Sequence, residues 1–267
     1  MKILIRGAGD IATGIALRLY RAGMQVVMTD LSAPTAIRRT VCFSQAIILG
    51  EMTVEDVTAR RAETPDQAEA LLAQGLIPVL ADPDCTCRTR LRPDALVDAI
   101  LAKRNLGTKI DDAPIVVGIG PGFTAGEDCH AVVETMRGHT LGRVIYRGSA
   151  LPNTNIPGLI GGYAGERVLR APAEGIFCQK LEIGAVVRAG DIAGEVAGQP
   201  MRCTIDGVLR GILADGTPVF RGMKAGDVDP RCKPEYCTTA SDKALAVGGG
   251  VLEALLHLHH QHPKTGK

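Results

Sequence analysis

Apolar residues run without a break through Ile3, Leu4 and Ile5, and the pattern then changes period, with Ile11, Ile15, Leu19 and Ala22 recurring at helical spacing. The pattern predicts a buried strand over residues 2–6 and an amphipathic helix over 11–22 that stops at Gly23. A second β-rich run, 25–29, closes at Asp30. Together these make a strand, helix, strand unit of about 30 residues, which implies parallel strands. Downstream the pattern is less regular. Strands are expected at 40–43, 57–59 and 77–80, and helices at 65–73 and 93–104. Residues 115–119 are an uninterrupted apolar run of the kind covered on both faces of a sheet. The segments 132–135 and 143–146 are expected to pair as a hairpin.

The composition changes near Ser149, where Pro152, Asn153, Asn155, Pro157, Gly158, Gly161 and Gly162 crowd a stretch too rich in breakers for a core element. Beyond it the chain repeats with an offset of 32 residues: Gly175, Gly184, Val187 and Gly190 recur as Gly207, Gly216, Val219 and Gly222. Two similar short-stranded halves are expected. Helical periodicity returns through Leu245, Leu252, Leu255, Leu256 and His259, weakened in the middle by Gly248 to Gly250. The expected fold class is α/β: a Rossmann-like, mostly parallel sheet over 1–148, a linker at 149–165, a smaller all-β domain at 166–231, and a C-terminal helix within 232–267 packing on the first domain.

The chemistry concentrates in two glycine-rich loops. Gly7-Ala8-Gly9-Asp10-Ile11-Ala12 matches G-x-G-x-x-G/A and sits after a strand, opening a helix. In that setting Gly7 allows the tight turn, Gly9 lets backbone approach a pyrophosphate, and Ala12 and Gly14 permit close helix packing. The helix N-terminus adds unpaired N–H groups and partial positive charge. Asp30 stands where an acidic residue would hold a ribose diol. The cofactor-binding candidates here are Gly7, Gly9, Asp10, Ala12, Thr13 and Asp30. The second loop, Gly120-Pro121-Gly122-Phe123-Thr124-Ala125-Gly126, adds Gly120, Gly122, Phe123 and Thr124. It would frame the same ligand if the 115–119 strand were the first across the reversal of strand order.

Cys129 and His130 follow that loop among Glu127, Asp128 and Glu134, and are the catalytic candidates as a thiol beside an imidazole. Adjacent residues in a strand point to opposite faces, so a structural pair is the competing account. Cys85 and Cys87 form a C-x-C in a polar loop, and Cys232 and Cys237 flank Pro234. No C-x-x-C or H-E-x-x-H spacing points to a closed metal site. His257, His259, His260 and His262 read as a solvated tail.

Charge narrows the partners. Lys plus Arg, 30, nearly cancel Asp plus Glu, 29, so there is no strong field for nucleic acid or an anionic membrane. Aromatic residues are 3%, too few for base-stacking platforms. No apolar run approaches a membrane span, and the eight cysteines in a chain of this size suggest free thiols, so a cytoplasmic protein is expected.

Several runs carry a family resemblance: Ile5-Arg6-Gly7-Ala8-Gly9-Asp10-Ile11-Ala12-Thr13-Gly14, Ala36 to Val41, Lys103-Arg104-Asn105-Leu106-Gly107-Thr108, Gly118 to Gly126, Asp128 to Thr135, and Gly226-Asp227-Val228-Asp229-Pro230-Arg231. With these the chain resembles the YqeB family of accessory proteins over nearly its whole length. The resemblance implies a role in maturing a selenium-dependent molybdenum hydroxylase of the xanthine or purine dehydrogenase type, which would be the client partner. It carries over no catalytic residue. The ligand expected in the Rossmann crevice is then an NAD-like nucleotide or a molybdopterin-type cofactor, and a homo-oligomer is possible on this reading.

The repeat separately looks like a barrel-sandwich hybrid, the biotinyl/lipoyl architecture. Its junction, Gly198-Gln199-Pro200-Met201-Arg202-Cys203, has no lysine to carry a cofactor, which favours a docking module. Two other readings remain open. One is an NAD(P)-dependent oxidoreductase of a small metabolite, which lacks an evident general acid and arginine clamp; the other is a non-catalytic nucleotide-sensing scaffold.

Overall fold

Ile3, Leu4 and Ile5 are fully buried, and the strand they form, β1 (Lys2–Arg6), lies inside a nine-stranded sheet. The computed structural model describes residues 1–154 and 157–261. Asn155 and residue 156 of the expected linker, and His262 with the rest of the expected terminal segment, lie outside the described residues. The chain divides into two units. The first is Met1–Pro34, Phe43–Asn153 and Ala240–Lys267; the second is Thr35–Cys42 and Thr154–Thr239. The excursion of Thr35–Cys42 into the second unit has no counterpart in the sequence pattern.

In the first unit β1 pairs in parallel with β2 (Gln25–Asp30) on one side and β6 (Ala95–Asp98) on the other. Beyond β2 come β5 (Ile77–Ala81) and β4 (Val57–Ala62), both parallel, and then β3 (Glu51–Val54), antiparallel. Beyond β6 come β7 (Ile115–Ile119) and β9 (Ala131–Val133), both parallel, and then β10 (Val144–Ile145), antiparallel. The sheet is therefore mixed, parallel inside and antiparallel at each edge. A separate ribbon joins β8 (Thr124–Ala125) to β11 (Gly148–Ser149). The helices are α1 (Asp10–Arg21), α2 (Gln45–Leu49), α3 (Pro65–Ala73), α4 (Arg88–Leu91) and α5 (Asp242–Gln261). Thr64 starts α3 by accepting a hydrogen bond from the Gln67 amide at 3.2 Å, with Pro65 in the first turn.

Three expectations are corrected, and one strand is an addition to them. Residues 93–104 form no helix: Ala95–Asp98 is β6, buried along its whole length, and such a short apolar run carries no period to separate strand from helix. Residues 40–43 form no strand: Thr40 and Val41 belong to a 3₁₀ turn over Arg39–Val41, and Cys42 caps its end. The antiparallel β3 was not expected at all. Because β6 lies beside β1, it and not β7 is the first strand across the reversal, so the Gly120 loop is displaced one strand from the Gly7 loop.

Helix α5 runs unbroken through Gly248, Gly249 and Gly250, because two of these glycines admit neighbouring backbone. A Cβ on Gly250 would lie 2.1 Å from the Gly142 carbonyl oxygen, and one on Gly248 would lie 2.8 Å from the Gly14 oxygen. On α1, a Cβ on Gly14 would lie 2.5 Å from that of Ala244. Alanine in a helix normally gains about 1 kcal/mol over glycine. At Gly14 the overlap wins, and Gly14→Ala is expected to destabilise the chain by about 1–3 kcal/mol. A thermal melt showing stabilisation would refute this packing of α1 on α5.

The second unit holds β12 (Val168–Arg170), β13 (Gly175–Gln179), β14 (Val186–Val187), β15 (Ile192–Val196), β16 (Gln199–Arg202), β17 (Gly207–Ile212), β18 (Pro218–Val219) and β19 (Lys224–Asp229). They form two four-stranded antiparallel sheets, β12-β19-β17-β14 and β16-β15-β13-β18. The offset of 32 carries β12, β13, β14 and β15 onto β16, β17, β18 and β19. Each repeat thus lends strands to the sheet of the other, which lets two short, individually coreless halves share one core around Phe177, Leu209 and Val228. One edge of this unit carries a buried ion network. Asp227 accepts from Arg167 at 2.6 Å and from Arg210 at 2.6 and 3.0 Å, while Asp229 accepts from Arg231 at 2.7 and 2.9 Å and lies 3.1 Å from Arg210.

Candidate functional site

The parallel strands deliver their following loops to one edge of the sheet, and the Gly7-Ala8-Gly9 loop lies there between β1 and α1. Gly7 is required structurally: its φ is +105°, and a Cβ would sit 2.9 Å from the Ala99 oxygen. Ala8 is pinned on both sides. Its amide donates to Asp30 Oδ2 at 2.7 Å, and its carbonyl accepts from the Ser44 amide at 2.9 Å and from Thr13 Oγ1 at 3.3 Å. Thr13 Oγ1 also accepts from the Phe43 amide at 2.9 Å, and both Ala12 and Thr13 are buried beneath the loop.

Gly9 differs from Gly7. Its φ of −75° and ψ of −170° suit any residue, a Cβ there would meet nothing within 4 Å, and no side chain caps the helix it starts. Neither backbone conformation nor packing calls for glycine at this position. Asp10 follows as the first residue of α1.

Asp30 ends β2 with both oxygens engaged by backbone: Oδ2 by Ala8, and Oδ1 by the Leu31 amide at 2.7 Å. Burial raises its pKa, opposed by those two hydrogen bonds. Its first task is to hold the loop, although a carboxylate has acceptor capacity beyond two donors.

Positive charge gathers at the same edge from three separate stretches of chain. Lys243, in the first turn of α5, feels Lys103 from the loop after β6 and Arg137 from the loop after β9, as well as Asp10 and Glu134. Burial, then repulsion from Lys103 and Arg137, lowers its pKa to about 8, against the pull of the two carboxylates. Desolvation also lowers Lys103, which adopts a left-handed φ of +64° rare for a side-chain-bearing residue. Arg137 is held by a fork to Asp242 at 2.8 and 3.0 Å. Glu134 is spent on backbone, accepting from the amides of Thr135, Met136 and Leu151. Sequence reasoning missed this cluster. Lys103 lay inside a quoted motif, whereas nothing in its neighbours marked Lys243.

The second glycine loop is largely occupied by its own packing. A Cβ on Gly122 would lie 2.6 Å from Arg104 Cα, and one on Gly120 would lie 2.7 Å from Thr135 Oγ1. Phe123 is buried against Gly118, and the Thr124 amide donates to Asp128 at 2.8 Å. Cys129 is fully buried, and desolvation pushes its thiol up to about 11, the reverse of what a thiolate nucleophile needs. His130 Nδ1 accepts from the Val116 amide at 3.0 Å. A buried thiol and a backbone-bonded imidazole fit the structural account of this pair.

Cys85 and Cys87 follow β5, buried at the same edge, while Cys232 is exposed and Cys237 buried; all eight cysteines are free. Among the described residues no group of three or more His, Cys, Asp or Glu side chains is placed to hold a metal ion, and no helix is long and apolar enough to cross a membrane.

Comparison with known proteins bears on the family. YqeB of Escherichia coli, itself uncharacterized, is 52% identical over 265 residues, which is 99% of this chain. The chain is similar to that relative over nearly all of its own residues. It spans about half, 49%, of that relative's length. No family model matches the chain. Among solved structures, an aspartoacylase family protein from Mesorhizobium loti is 13% identical over 55% of this chain and 60% of its own, with a TM-score of 0.24. The ectoine utilization protein EutE (DoeB) from Ruegeria pomeroyi is 20% identical over 32% of this chain and 28% of its own, with a TM-score of 0.22. Such scores do not mark a shared fold.

Proposed function

We propose that the carboxyl edge of the first unit binds a phosphorylated ligand, a nucleotide or a molybdopterin-type cofactor, and that the protein uses it in maturing a selenium-dependent molybdenum hydroxylase. The observation that carries the binding site is Gly9, where an unhindered position with ordinary backbone angles opens onto the uncapped start of a twelve-residue helix. A phosphate there would lie against helix N–H groups, with Lys243 and Lys103 supplying countercharge. The sheet order β5-β2-β1-β6-β7-β9 is that of dinucleotide-binding Rossmann folds, with the reversal between β1 and β6 beside this loop. The maturation role rests on the resemblance to the YqeB family carried by the motifs of the sequence. The interlocked halves of the second unit support a barrel-sandwich reading, and the β15–β16 turn, Ala197-Gly198, offers no lysine, so that unit would dock the client.

Titration of the full chain with ADP, NAD and inorganic pyrophosphate tests the site. Lys243→Met should weaken binding about 10- to 100-fold at pH 7, the loss of one charge-assisted hydrogen bond. The pH dependence has a definite sign. Lys243 is protonated below about 8, so affinity should hold at neutral pH and fall as pH rises through that value. A bound anion raises the lysine's pKa, so binding near pH 8 should take up protons and its calorimetric heat should depend on the buffer. Parent protein that binds none of these probes, or binding indifferent to Lys243, would remove the assignment.

The strand order and the position of Asp30 at the end of β2 also favour a nicotinamide-dependent oxidoreductase. NADH oxidation with a small carbonyl compound would be its signature.

A further inference from the structure

The loop after β5, Asp82-Pro83-Asp84-Cys85-Thr86-Cys87, plays no part in the ligand site proposed above, yet it is organised around sulfur. Asp82 shapes it by accepting from the Cys87 amide at 2.8 Å and from Thr86 Oγ1 at 3.0 Å. Cys85 is forced into the left-handed region, with φ of +57°. Its Sγ accepts from Thr29 Oγ1 at 3.9 Å and from the Cys87 thiol, which together outweigh burial, while the charges of Asp82 and Arg6 oppose each other. Cys85 also lines a cavity of about 150 Å³ together with Arg6, Arg88, Thr108 and Asp112. Two donors converging on one sulfur favour a thiolate there, and a second thiol in contact with it is what a resolving cysteine requires.

We propose that Cys85 and Cys87 are a redox-active dithiol that reduces a small polar peroxide entering this cavity, with Cys85 as nucleophile and Cys87 as resolving thiol. The cavity sets the substrate class. Cys85 is only 2% exposed, so a bulky thiol-disulfide reagent cannot reach it, whereas hydrogen peroxide fits the space. The Cys85 thiolate attacks one peroxide oxygen; the O–O bond breaks, a hydroxide leaves, and Cys85 becomes a sulfenic acid. Cys87 then attacks the Cys85 sulfur, forming the S–S bond and displacing the second oxygen, which leaves as water with the Cys87 proton. Peroxide gains two electrons and the two sulfurs together lose two. The two thiols respond oppositely to their contact: the hydrogen bond from Cys87 lowers Cys85, against burial, and raises Cys87. Once Cys85 is sulfenylated that anion is gone, and Cys87 is released to react.

The test uses the reduced full chain with one equivalent of hydrogen peroxide, quenching by alkylation, and peptide mapping. The expected product is a Cys85–Cys87 disulfide, two hydrogens lighter, formed at least about tenfold faster than oxidation of the exposed Cys232. Cys87→Ser should convert it to a sulfenic acid on Cys85 that dimedone captures, and Cys85→Ser should leave Cys87 unoxidised on the same timescale. Oxidation of Cys232 as fast as Cys85, a disulfide mapped elsewhere, or reaction with glutathione disulfide but not peroxide would each overturn the proposal. None of these readouts depends on nucleotide binding.

Discussion

Replacing Asp227 with alanine is expected to destabilise the second unit by about 3–5 kcal/mol, because it strands two buried guanidinium groups. Arg167 and Arg210 are 6% and 8% exposed and both donate to this one carboxylate, itself 2% exposed. The desolvation cost of the arginines remains after the change, while their attraction to the carboxylate is lost. Asp229 partly compensates Arg210 at 3.1 Å but is already shared with Arg231, and Arg167 has no such substitute among these acids. Calorimetry should show the melting temperature falling by more than about 10 °C for a unit of this size. A fall of one or two degrees would mean that water reaches the network. Acid should act in the same direction. Burial opposes ionisation of Asp229, but hydrogen bonds from Arg231 and the charge of Arg210 outweigh it and hold its pKa below the usual value. Its contribution is therefore present at neutral pH and lost as pH falls through that lowered value.

Gly9→Val is expected to weaken binding of ADP or pyrophosphate by about 100-fold or more, the equivalent of two charge-assisted hydrogen bonds, at a cost in stability of about 1 kcal/mol. The two effects separate because a Cβ at Gly9 meets no protein atom within 4 Å and its φ of −75° is accessible to valine. The added isopropyl group occupies space the protein leaves open and a phosphate would fill. The same change at Gly7 would not discriminate, since there φ is +105° and the Ala99 oxygen would be 2.9 Å away, so fold and binding would be lost together. Unchanged affinity in a folded Gly9→Val protein would place the ligand elsewhere.

Local pattern determined much of this chain. The first strand, helix, strand unit and α3 were legible because each is long enough to show its period and carries its own start or stop signal, as with Thr64 and Pro65. The 32-residue repeat became two sheets that exchange strands, because similar halves meet equal packing demands. The Gly7-Ala8-Gly9 loop was legible as well, since the motif encodes its own turn. Local pattern failed where the deciding partner is remote in sequence. Ala95–Asp98 became a strand because β1 and β7 cover it on either side, and four apolar residues cannot announce that alone. The glycines of α5 looked like helix breakers until Gly14 and Gly142 came up against them. Cys129 and His130 were candidates by adjacency, whereas the burial that raises the Cys129 pKa and the Val116 amide on His130 Nδ1 come from packing. Asp30 was placed correctly at the end of β2, but its bond to Ala8, 22 residues away, turned it toward holding the loop. Lys103, Arg137 and Lys243 come from distant stretches that only the sheet brings to one edge. Charge convergence is a property of positions in space, so a sequence fixes it without displaying it.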